Sequence, residues 1–215
     1  MKKKDAIAAI NRHGILLVYP IKNAKDPASL WSVAYPRSEM RWDWDAGGDN
    51  RVASLWHLRE ELSRSTDVIY AKWFQNRATF FSRELFTALR CHFHQAPLPL
   101  NREARELLSL LQESSPQSTR QLKKGTQLIG RALESTYERG MKQLWQQLLI
   151  AGFGEVDEGS FPSLAVGASS LLFEELETRA KQMEPAKARE IIDASFAHSL
   201  KIQKFFAKVN TVAKP

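Results

Sequence analysis

Arg131, Ser135, Arg139, Lys142, Gln143 and Gln146 recur at intervals that would place them on one side of a helix. Arginine and lysine bring positive charge and donors for anionic oxygens. Glutamine carries a donor and an acceptor on one amide. A helix face made of such side chains could reach phosphates and base edges in a major groove. Arg120, Lys123 and Lys124 lie just upstream and would add phosphate contacts. Lys72, Arg77 and Arg83 form another basic group in the first half of the chain.

Other chemistries find no complete residue set. The string from Arg41 to Asp49 holds several aspartates beside a glycine pair, but its spacing is not that of a calcium loop. Cys91, His92 and His94 have no companions to complete a zinc site. There is no serine–histidine–acid, phosphate-loop or dinucleotide signature. No catalytic residue, metal or cofactor is therefore expected.

The polar face needs a scaffold, and residues 101–173 supply the pattern of one winged helix. Asn101 can cap a helix with Ala104, Leu107, Leu108 and Leu111 on its apolar face. Ser118 or Thr119 can cap a short second helix that ends near Gly125. A third helix is predicted over 130–149, with Leu133, Tyr137, Met141, Leu144, Trp145 and Leu148 facing the core. A hairpin follows, and Glu155, Asp157 and Glu158 crowd its turn. Carboxylates held against phosphates are repelled, so this wing is expected to be solvated or to meet protein.

The first half reads as a second copy of the plan. Leu55-Trp56 and Leu144-Trp145 each sit on a helix that leads into strand, turn and strand. A helix is predicted from Pro27 to Ala34, another over 50–63, and a hairpin over 68–82 turning at Gln75-Asn76-Arg77. Trp73-Phe74-Gln75-Asn76-Arg77 resembles a homeodomain recognition helix, but it is β-prone and lacks the following basic run. Its cations suit a phosphate-facing wing. The expected fold is α+β, mainly α. It has winged-helix units over 1–96 and 101–176, and one C-terminal helix over 185–209 packing back on the body. That helix carries Lys201, Lys204 and Lys208 on its polar side.

The chain has 215 residues, a formal charge of +7 and a pI near 9.6. Excess positive charge favours polyanions. Its distribution is uneven: residues 151–185 hold 2 basic and 7 acidic side chains, whereas 186–215 hold 6 and 2. One cysteine allows no internal disulfide, and no apolar run has membrane-spanning length. A cytoplasmic protein is expected.

The segment from Ser115 through Lys123, followed by Tyr137-Glu138-Arg139-Gly140-Met141-Lys142-Gln143-Leu144-Trp145, resembles the short relatives of a bacterial family of winged-helix DNA glycosylases. Those enzymes unhook alkylated and crosslinked bases. The aromatic stretch over 70–82 extends the similarity. The resemblance implies tandem winged helices, a DNA partner and a tie to DNA repair. The family's catalytic glutamine, followed two positions on by glutamine or aspartate, does not occur in this sequence. A non-enzymatic duplex-DNA binder, regulatory or repair-related, is the leading expectation. A glycosylase-like enzyme and a protein-interaction module, or a homodimer, stand as alternatives.

Overall fold

Caps and turns divide the chain much as the sequence implies. The computed structural model describes residues 1–42, 49–157 and 162–211, with backbone alone for Asp157 and Pro162. Residues 43–48 of the aspartate-rich string, and the turn residues Glu158 and Gly159, lie outside the described residues.

Both halves follow one order of elements. The first runs α1 (Lys3–His13), β1 (Ile15–Leu17), α2 (Leu30–Ala34), α3 (Asn50–Ser63), β2 (Val68–Ala71) and β3 (Thr79–Ser82). After α4 (Arg83–Gln95), the second runs α5 (Arg102–Glu113), β4 (Gln117–Ser118), α6 (Thr119–Gly125), α7 (Glu134–Gln146), β5 (Ile150–Asp157) and β6 (Pro162–Ala168). In each half the first strand pairs antiparallel with the third, and the third with the second. Helices α8 (Ser169–Leu172), α9 (Glu174–Gln182), α10 (Pro185–Phe196) and α11 (Leu200–Thr211) complete the chain.

The expected caps at Asn101, Ser118 and Ser82 are present. Asn101 accepts from the Ala104 amide at 2.8 Å, and Ser118 forms a reciprocal capping box with Gln121. Ser82 accepts from Leu85 at 3.2 Å. Other boundaries move. Helix α2 starts at Leu30, not Pro27, because Ser29 takes the cap and accepts from the Ser32 amide. Helix α7 starts at Glu134, since Gly130 has φ 96° and Arg131–Leu133 form a 3-10 turn. Leu133 is consequently exposed rather than core. The single tail helix is in fact α10 and α11. The first ends at Phe196 with Ala197 as its C-cap, and Ser199 caps the second, accepting from the Ile202 amide and bonding the Asp26 carboxylate. Trp56 is exposed whereas Trp145 is buried, so the two Leu-Trp pairs are not equivalent positions.

The six strands make one antiparallel sheet, ordered β1-β3-β2-β5-β6-β4. Residues Leu16, Val68, Tyr70 and Phe80 pack under α1, α2 and α3. Ile15, Leu17, Ile69 and Phe81 face the other way, into a core shared with α4, α10, α11 and the second half. Covered on both faces, β1, β2 and β3 are buried throughout.

The two hairpins meet at a single register pair, Tyr70 with Gly152. A Cβ on Gly152 would run into the Tyr70 ring at Cδ1 and stand 3.2 Å from Leu164 Cδ1. Gly152→Val is expected to lower stability by about 1–3 kcal/mol through overpacking of this joint. A urea melt checks it, and an unchanged midpoint would mean the joint yields freely.

Candidate nucleic-acid interface

Helix α7 is amphipathic, as its spacing implies. Tyr137, Met141, Leu144 and Trp145 are buried, while Ser135, Glu138, Arg139, Lys142, Gln143 and Gln146 line an open groove of about 980 Å³. Gly140 lets α5 come close behind, since a Cβ there would meet the Ala104 amide nitrogen at 3.2 Å. The opposite wall is α11. Its buried residues are Ile202, Phe206 and Val209, and it presents Lys201, Lys204, Phe205 and Lys208 to the groove.

Between the walls lies the tip of the first hairpin, with Gln75 and Asn76 at the groove. Both have left-handed backbone, φ 52° and 60°. The segment is a 3-10 turn, not a recognition helix. Trp73 and Phe74 latch it in place. The Trp73 indole Nε1 donates to the Gln146 carbonyl at 3.0 Å, tying the tip to α7. Its ring lies 4.9 Å from Phe205 and 5.9 Å from Phe196, and Phe74 lies 5.0 Å from Phe205. The hairpin, α7 and α11 thus hold one another.

Among the described residues the groove gathers Arg139, Lys142, Lys201, Lys204 and Lys208 against one carboxylate, Glu138. Lys201 donates to the Asp26 carbonyl at 2.8 Å. The side chains of the other four cations have no hydrogen bond or ion pair among the described residues. Unpaired like charges converging on a concavity focus field for an anion.

The remaining expected contacts are dispersed. Arg120, Lys124 and Arg131 are exposed but do not line the groove. Lys123 is bound to Glu134 at 2.6 and 2.7 Å and lies over the Tyr137 ring, so it is committed within the fold. Arg83 donates to the Thr66 carbonyl and pairs with Glu175, both at 2.7 Å. Gln143 borders the groove, yet its Oε1 accepts from the Asn101 amide at 2.8 Å. Arg77 is exposed beside the tip. Lys72 is half-buried near Arg59 and Glu138. The lysines of α11 were visible as the polar side of a tail helix, but only the Trp73–Phe205 packing brings them opposite α7.

The acidic second wing also changes meaning. Glu155 forms an ion pair with buried Arg59, and its carbonyl accepts from Arg64 at 2.7 Å. It joins β5 to α3 rather than repelling a backbone. Asp49 caps α3 and pairs with Arg51, which holds its carboxyl below the usual range. His92 and His94 contact Asn210 and Glu177, at 3.2 and 3.0 Å, and the Cys91 thiol donates to the Met183 carbonyl. Among the described residues no cluster of three His, Cys, Asp or Glu could hold a metal ion. No described helix is long and apolar enough to cross a membrane.

The family model described as AlkZ related matches residues 2–210, nearly the whole chain. The chain belongs to the AlkZ-related family. AlkZ, for which the family is named, is a DNA glycosylase of crosslink repair. No curated protein and no solved structure matches it. The groove of this AlkZ-related chain spans both halves and the tail, all within the matched segment.

Proposed function

We propose that this protein is a repair-related binder of duplex DNA, built of two winged-helix units that share one basic groove. The carrying observation is the set of unpaired cations, Arg139, Lys142, Lys204 and Lys208, converging on that groove. The repeated order of helix, strand, helix, helix, strand and strand, with the first strand on the third, supports the winged-helix reading. In it α7 is the reading helix of the second unit, with Gln146 toward base edges and its cations toward phosphates. Base excision is no part of this reading. The glutamine pair is absent, and Gln143 and Gln147 bind the linker backbone at Asn101 and Leu98.

Fluorescence anisotropy on labelled duplex across a salt series tests it. Four to five phosphate contacts predict a slope of log affinity on log salt of roughly −4. A flat response, or no binding to any duplex at low salt, would overturn the reading.

A further inference from the structure

The two walls of the groove are not alike. Among the described residues α7 brings Arg139 and Lys142 together with the carboxylate of Glu138, whereas α11 brings Lys201, Lys204 and Lys208 and no carboxylate. Anionic oxygens are therefore drawn to the α11 side. On that side an aromatic ring is interleaved with the lysines, since Phe205 lines the groove between Lys204 and Lys208. Positions 201, 204, 205 and 208 fall on one face of a helix, so the ring and the ammonium groups form a single stripe.

Phe205 keeps surface where its ring neighbours do not. Trp73 and Phe74 are 1% and 0% exposed, while Phe205 is partly exposed at the groove. Both neighbours meet it at steep interplanar angles, 79° and 60°, so neither lies flat on it. A paired strand has no use for such a ring. In a duplex the bases stack on one another, and base edges and phosphates are what a protein meets. An unpaired strand offers flat base faces, and cations interleaved with an aromatic ring are the arrangement that holds one. Size agrees. At about 980 Å³ the groove is at the upper end of clefts that enclose one small molecule, which gives room for a few nucleotides of one strand but not for a double helix.

We propose that this groove seats an unpaired strand, so that the DNA this protein takes is a duplex with a single-stranded extension. The proposal rests on the duplex reading above. Paired DNA lies along α7, and the strand nearest α11 sets its phosphates on Lys201, Lys204 and Lys208. Where that strand loses its partner it sinks between the walls, and a base stacks on Phe205. The lysines serve paired and unpaired DNA alike, and Phe205 tells them apart.

Anisotropy with three labelled probes tests this: a blunt duplex, the same duplex with a short oligothymidine overhang, and that duplex with the overhang filled in by its complement. Filling in adds phosphates, so charge alone favours the filled-in probe. Wild type is instead expected to bind the overhang, on one strand or the other, about tenfold tighter than the filled-in form. Phe205→Leu keeps the position apolar and should bring that ratio to one or below. Phe205→Tyr keeps an aromatic face and should retain it. The ratio is read within each variant, so a general change in affinity cancels. Without any substitution, 5-iodouracil placed in the overhang should photocrosslink to α11 of the wild-type chain. Equal or weaker binding of the overhang on both strands overturns the proposal and leaves the duplex reading standing. So does a preference that persists in folded Phe205→Leu, or a crosslink that maps outside α11. Failure of the duplex reading looks different: none of the three probes is bound at low salt, and both ideas fall together.

Discussion

Replacing Lys201, Lys204 and Lys208 together by alanine is expected to lower duplex affinity by two to three orders of magnitude, roughly, near 0.1 M salt. Each phosphate contact releases close to one counterion, so the salt slope should also flatten by about 3. These lysines are exposed along one face of α11, and their loss should leave folding almost untouched, within about 0.5 kcal/mol. Anisotropy over a salt series measures the first effect and a thermal melt checks the second. The companion triple Arg120, Lys124 and Arg131 to alanine is the discriminating control. Those side chains carry the same charge but lie off the groove. A slope that falls for the companion triple and holds for the α11 triple would move the DNA to the α6 side. The contrast has weight because sequence alone favours the companion set, which sits nearest the reading helix in the chain.

Local rules made a large part of this protein legible. The i, i+3, i+4 spacing of Ser135, Arg139, Lys142 and Gln146 placed them on one polar face of α7, though Arg131 falls outside that helix, and Asn101, Ser118 and Ser82 announced three helix starts. What escaped was set by partners distant in sequence. Glu155 reads as wing-tip charge until Arg59 is known to face it from 96 positions away. Ser199 reads as an ordinary helical residue until Asp26, 173 positions earlier, meets it where α10 stops. Lys123 and Arg83 look like free cations because nothing in their spacing shows Glu134 folding back or Glu175 arriving from α9. The string Trp73-Phe74-Gln75-Asn76-Arg77 shows both limits. Its β-prone, aromatic character correctly argued against a recognition helix. Its actual work, latching α7 to α11, depends on Phe196 and Phe205, which periodicity cannot place. A pattern shows which face a residue takes, but not what meets that face.

Glu177→Ala is expected to cost about 3–5 kcal/mol of stability, the largest single effect in the fold. Glu177 and Arg90 are 5% and 6% exposed in their side chains. The carboxylate accepts from Arg90 Nε at 2.5 Å and Nη2 at 3.2 Å, and His94 Nε2 lies 3.0 Å from its second oxygen. Arg90 also donates to the Gln147 carbonyl at 2.8 Å. The pair therefore ties α4 and α9 to the residue just past α7, directly behind the groove. Truncating Glu177 leaves a buried guanidinium facing a single carbonyl, and that uncompensated charge is the source of the cost. Glu177→Gln keeps the shape and one acceptor, so a smaller loss of about 1–3 kcal/mol is expected. The double variant Arg90→Met with Glu177→Leu removes both charges, and its stability should return close to wild type or exceed it. Urea midpoints of the three variants test the ordering. If Glu177→Ala lies within about 1 kcal/mol of wild type, water reaches Arg90 and the pair is not a closed anchor. If the double variant is stable yet binds duplex more weakly, Arg90 matters through the Gln147 carbonyl, as the strut that sets the end of α7 against the hairpin.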